Sequence, residues 1–308
     1  MLKYGLSNVC ADFTPVFNMM QYADPPKFTE KLMMMKQFLV ALLLIWLPGL
    51  LKAQHTTSKN NRKLVFEDEF NYQGLPDSTK WGYEEGFVRN QEPQYYTVKR
   101  LENCRVENGS LVIETRKEAY PNAAYKPGSA DWDRKEQSAR YTSASINTKG
   151  KFSWKYGRIE VRAKVPAGLG IWPAVWMLGT TKWPECGEID IMEFLGKDSS
   201  KIYGTVHYLD TTGKFRDRGE VANGIKPSDG FHVYAIDWND QQITFYYDSL
   251  AYFVFEFNKA KDNPGNVFQK DFYLLLNLAV GHEGSWAGPL DDKVLPAKYY
   301  IDYVKVYQ

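Results

Sequence analysis

The run Trp183-Pro184-Glu185-Cys186-Gly187-Glu188-Ile189-Asp190-Ile191-Met192-Glu193-Phe194 decides how the rest of the chain is read. β-Branched isoleucines alternate with carboxylates, and Gly187 and Gly196 bound the segment, which predicts a β-strand. Alternation sends Glu188 and Asp190 to one face and Ile189 and Ile191 to the other. A regular strand would then turn Met192, not Glu193, onto the carboxylate face. One extra residue taken up as a β-bulge near Met192 returns Glu193 to it, and bulges often sit beside active sites.

Three acids on one strand face repel one another, so at least one is expected to hold its proton above the ordinary carboxyl range. Acid/base chemistry needs that division: one carboxylate ionised to attack, one carboxyl protonated to donate. With the bulge, the outer glutamates lie about 13 Å apart at Cα, at roughly 3.3 Å per strand step. Side chains leaning together close that to about 5 Å, near the ~5–5.5 Å of a retaining glycosidase and below the ~6.5–9.5 Å of an inverting one. The competing reading is a solvated acidic face on an edge strand, or a calcium site. The flanking isoleucines, which mark a strand packed on one face, and the nearby tryptophans favour the chemical reading.

Gly187-Glu188-Ile189-Asp190-Ile191-Met192-Glu193 resembles the signature of glycoside hydrolase family 16, in the bulged form typical of laminarinases. The resemblance implies Glu188 as nucleophile, Asp190 as its assistant and Glu193 as acid/base. Further matches extend it over nearly all of residues 62–308.

The residues themselves predict the matching architecture. From Lys63 onward, short alternating segments and turn residues recur without a long helical period. Gly157 to Val165 alternates strictly; Ser110 to Thr115, Ser143 to Thr148, Tyr203 to Tyr208, His232 to Trp238 and Gln242 to Tyr247 behave similarly. Phe272 to Val280 is continuously apolar, as expected of a central strand covered on both faces. About a dozen such strands with short turns point to an all-β jelly-roll sandwich of two curved antiparallel sheets with a concave substrate cleft. One catalytic domain is expected over 63–308, and residues 119–138 read as an exposed, unpatterned insertion at a cleft rim.

Several segments resemble the family's sugar-binding elements. Arg89 to Tyr96 is turn-like and rich in hydrogen-bonding side chains, and Asn90 is the expected glycone-side contact. Trp172 and Trp176, four apart in Ile171 to Leu178, share a strand face and suit stacking on pyranose rings. His207 resembles a histidine placed near the acid/base, and Asn277 and Trp286 resemble the Asn-Leu-Ala-Val-Gly-Gly…Trp stretch. Two departures stand out: His282-Glu283 replaces the second glycine, and Ser145 stands where an arginine is usual. In Tyr300 to Tyr307, Asp302 is predicted to share a face with Val304 and Val306, and so to be paired, hydrogen-bonded or bound to a cation. The resemblance implies a structural Ca²⁺ there, with Glu69 and the carbonyl of Gly109 as partners. No cofactor is expected for catalysis.

The 308-residue chain carries a net charge of +1, which gives no case for nucleic acid. Residues 1–32 read as an extension ahead of the true start. Residues 33–53 read as a secretory signal with cleavage after Ala53, too short to span a membrane, and 54–62 as a linker. A secreted or periplasmic monomer is expected. Loss of Cys10 with the signal leaves Cys104 and Cys186, paired or free. The resemblance implies a polysaccharide substrate, namely β-1,3- or mixed β-1,3/1,4-glucan cleaved with retention. The rival readings are a galactan hydrolase of the agar or carrageenan type and a non-catalytic glucan-binding lectin.

Overall fold

The computed structural model describes residues 62–308. The expected extension, the secretory signal, Cys10 and most of the linker lie outside them.

Alternating sequence produces strands throughout. In chain order they are β1 (Leu64–Asp68), β2 (Gly82–Tyr83), β3 (Gln94–Tyr96), β4 (Cys104–Glu107), β5 (Ser110–Pro121) and β6 (Ser138–Ser143). Next come β7 (Ser145–Asn147), β8 (Gly157–Lys164), β9 (Ile171–Gly179), β10 (Glu188–Glu193), β11 (Lys201–Leu209) and β12 (Phe215–Asn223). The last are β13 (His232–Trp238), β14 (Gln242–Tyr247), β15 (Leu250–Glu256), β16 (Phe272–Val280) and β17 (Ala297–Tyr307). Two short 3₁₀ turns, Val267–Gln269 and Asp292–Val294, are the only helical segments among the described residues. No helix there is long and apolar enough to cross a membrane.

The strands form two sheets. One runs β15-β14-β13-β8-β17-β5-β6-β3, with β1 added on β17 and β4 on β5; the other runs β12-β11-β10-β9-β16-β7-β2. Pairing is antiparallel except between β3 and β6, which run parallel. The facing sides interdigitate into one core, to which β8 contributes Ile159, Val161 and Ala163 and β10 contributes Ile189, Ile191 and Met192. Every residue of β16 is buried, as its unbroken apolar sequence predicts. The insertion joins β5 to β6 and is largely exposed.

Two expectations need correction here. The strand count rises to seventeen because β2, β3 and β7 are only two or three residues long, too short to show a period. Asp302 does not share the buried face of Val304. The β17–β8 register shifts between Ile301 and Tyr303, so Ile301 and Val304 both point inward while Asp302 is half-exposed. Its Oδ2 accepts a 2.6 Å hydrogen bond from Arg162. Glu69 is likewise paired with Lys305 at 2.6 Å. Both carboxylates are thus paired with cations, one of the outcomes expected of Asp302. Cys104 and Cys186 are buried free thiols.

Candidate active site

Gly187 launches β10. Its φ of +75° suits glycine, and a Cβ there would come within 2.7 Å of Val267. Glu188 then pairs with Leu178 of β9 and His207 of β11, and Asp190 with Trp176 and Thr205. Beyond Asp190 the register slips: Met192 faces Val175, and Glu193 faces Ala174 and Tyr203. The slip is a bulge. It leaves Ile191 and Met192 both in the core and returns Glu193 to the side of Glu188 and Asp190.

All three carboxyls line a cleft of about 710 Å³ that crosses the seven-stranded sheet. Trp183 and Phe215 stand at its β12 end, exposed by 50% and 42%. Glu84, Arg89 and Asn90 stand at its β2 end, with Trp172 and Trp176 between. Trp172 Nε1 donates to Glu193 Oε1 at 3.1 Å. His207 Nε2 lies 3.1 Å from Asp190 Oδ2, and the His207 ring stacks on Phe215 at 5.8 Å. Trp286 meets both Trp172 and Tyr203 edge-on, at 5.7 and 4.8 Å.

Burial shapes the electrostatics. Desolvation, reinforced by the charge of Asp190, pushes the Glu188 carboxyl up to about 8, against the weaker pull of His207. Asp190 is also raised by burial, and a hydrogen bond from Glu188 offsets part of that rise. Glu193 is raised well above its ordinary value by burial and then by Asp190, while the Trp172 indole N–H holds it down. Three carboxyls in one low-dielectric cleft therefore carry fewer than three charges near neutrality, and their protons leave in steps that belong to the cluster. Glu188, Asp190 and His207 also present ligand atoms within 4.8 Å of one another.

The remaining expected residues divide. Asn90, Trp172, His207 and Trp286 face the cleft. Trp176, only 7% exposed, forms part of its floor, and its Nε1 donates to Asn277 Oδ1 at 2.7 Å. Asn277 Nδ2 in turn donates to the Tyr96 hydroxyl at 3.0 Å. Asn277 thus holds the floor rather than offering free polar atoms. Sequence reading missed Glu84 and Phe215 altogether and gave Arg89 no role. The Arg89 guanidinium pairs with Glu84 and lies 4.8 Å over the Trp176 ring. Glu84 also accepts from Ser145 Oγ at 2.6 Å. The hydroxyl at 145 therefore supports an arginine delivered from another loop. The replaced glycine has a place too: His282 Nε2 comes within 3.3 Å of the Asn90 carbonyl, tying the two rims together.

A jelly roll whose cleft sets unequally protonated carboxyls over an aromatic floor defines the class: a glycosidase that hydrolyses O-glycosyl bonds. Known proteins give the particular family. Residues 91–305 match the model of "Glycosyl hydrolases family 16", and the chain belongs to that family. It is 38% identical over 296 residues to a beta-glucanase of Rhodothermus marinus, covering 91% of this chain and 96% of that protein. The solved laminarinase of R. marinus superposes with a TM-score of 0.69 at 39% identity, covering 80% of this chain and 97% of the other. A structure from work on endo-acting O-glycanases of human gut microbiota that initiate mucin breakdown superposes with a TM-score of 0.74 at 38% identity, covering 81% and 91%.

Proposed function

We propose that the chain cleaves internal β-1,3- or mixed β-1,3/1,4-glucan linkages with retention of anomeric configuration. Glu188 bonds to the anomeric carbon as the glycosidic C–O bond breaks, and Glu193 passes its proton to the departing oxygen. Glu193 then takes a proton from water, whose oxygen bonds to the anomeric carbon and releases Glu188. Asp190, between them, takes up the Glu188 proton when the nucleophile ionises and is steadied by His207. Trp172 and Trp286 provide ring faces for the sugar. The bulge carries this reading, because without it Glu193 has no path to the sugar. The R. marinus beta-glucanase supports the glucan as substrate. Residues 33–53 as an export signal belong to the same proposal.

A second reading, cleavage of galactose-containing glycans, draws on 28% identity over 264 residues to a keratan-sulfate endo-1,4-beta-galactosidase of Sphingobacterium multivorum. Reducing-end release from laminarin, lichenan, agarose and mucin glycans, measured side by side, separates the two: the glucans should be cut fastest. Glu193→Ala supplied with azide should regain turnover and yield a β-glycosyl azide. An α-linked azide, or preference for the galactose-containing substrates, overturns the glucan-retaining reading.

A further inference from the structure

We propose that the cleft continues into a second sugar pocket, built between the Gly86–Pro93 loop and the insertion at 122–137. There Trp132 is the stacking face for a further neutral pyranose of the bound polysaccharide. The proposal rests on the polysaccharide reading above and extends it to a segment with no assigned role.

The pocket measures about 290 Å³ and is walled by Phe87, Trp132, Tyr141, Lys135, Glu136 and Arg140. It lies toward the β2 end, away from Phe215, and Glu92 lines both this pocket and the recess beside the catalytic carboxyls. The wall is buttressed. Trp132 meets Phe87 edge-on at 6.1 Å, Phe87 meets Tyr95 edge-on at 5.7 Å, and Tyr95 leans on Tyr120 at 5.2 Å. The insertion closes on itself through Asn122, whose Nδ2 donates to the carbonyls of Asp133 and Glu136 at 2.9 and 3.0 Å. Backbone bonds from Asn122 to Gln137 and from Lys126 to Arg134 complete the closure. Trp132 is thus held half-buried, one side against Phe87 and the rest available.

The chemistry of the wall selects the ligand. A pyranose has an apolar C–H face and hydroxyls that both donate and accept. Trp132 suits the first; Lys135 and Arg140 as donors and Glu136 as acceptor suit the second. Two cations set against Glu136 and the nearby Glu92 do not make a site for a strongly anionic group. Glu92 itself is engaged by Asn90 and Gln94, at 3.1 and 2.7 Å, which fixes the wall that the pocket shares with the recess beside the catalytic carboxyls.

The test compares Trp132→Ala with wild type on laminarin polymer and on the shortest laminari-oligosaccharide that wild type cuts. Loss of one stacking face should raise KM for the polymer about three- to tenfold with kcat unchanged, and leave the short substrate unaffected. Trp132→Phe should restore most of the polymer affinity. An equal loss on both substrates, or none on the polymer, overturns the proposal. Should Trp132→Ala fail to fold, the double variant Lys135→Ala/Arg140→Ala carries the same comparison. If wild type cuts no glucan, the glucan reading fails instead, a result distinct from a length-independent Trp132 variant.

Discussion

The hydrogen bond from the Trp172 indole to Glu193 opposes what burial does to that carboxyl. A donor to a carboxylate favours its ionised form, so removing it raises the pKa further. Trp172→Phe keeps a ring in the cleft but loses the N–H. We expect the alkaline limb of kcat/KM against pH to move upward, because the acid keeps its proton longer, while the plateau falls about tenfold from lost orientation. A pH profile measured on both proteins decides it: an unmoved or lowered limb would mean that Trp172 does not govern the acid. The acids were legible in sequence because they repeat at strand spacing within six residues. The Ser145–Glu84–Arg89–Trp176 chain was not, since its members come from segments up to about ninety residues apart and only folding brings them together.

At the scale of elements, the bulge in β10 is supported from the opposite sheet. Tyr252 of β15 is packed through the core, and its hydroxyl donates to the Ile191 carbonyl at 3.4 Å. Gly204 of β11 makes room for it, since a Cβ there would stand 2.4 Å from the Tyr252 oxygen. Gly204→Ala should therefore shift Tyr252, cost about 1–3 kcal/mol by overpacking and lower kcat more than it raises KM. Tyr252→Phe, which removes the closest of these contacts but leaves Phe245 Cδ1 at 2.9 Å from the new Cβ, should rescue the double variant in part; urea unfolding and steady-state kinetics on the singles and the double provide the check. Additive losses in the double would show that the two residues do not act on one another. The β10 bulge could be anticipated because a carboxylate out of phase demanded it. The one in β17 could not, because Asp302 satisfies a plain alternation with Val304 just as well on paper. Partner strands decide register, and a single sequence does not contain them.

Taken as a whole, the molecule concentrates its raised carboxyls, Glu92, Glu188, Asp190 and Glu193, in and beside the cleft. The unfolded chain ionises Glu188 near its ordinary value of 4.5, whereas the fold holds its proton up to about 8. Stability linked to that proton is complete below the lower value and is lost as pH rises through the upper one. The thermal midpoint of wild type should fall relative to Glu188→Gln between those two limits. Parallel melting curves across that range check this, and a constant difference would remove the linkage. The overall architecture was legible because alternation recurs from Lys63 onward; its strands of two or three residues were not. Finally, β16 and its neighbour β9 serve the interior on one side and the cleft floor on the other, where Trp176 and Asn277 tie the two strands together. Such a shared wall leaves little freedom for drift. New glycan preferences in descendants of this chain should accumulate in the surrounding loops, where segments 122–137 and 281–288 can be exchanged without disturbing the foundation beneath them, whereas 86–93 carries Arg89 onto the Trp176 ring.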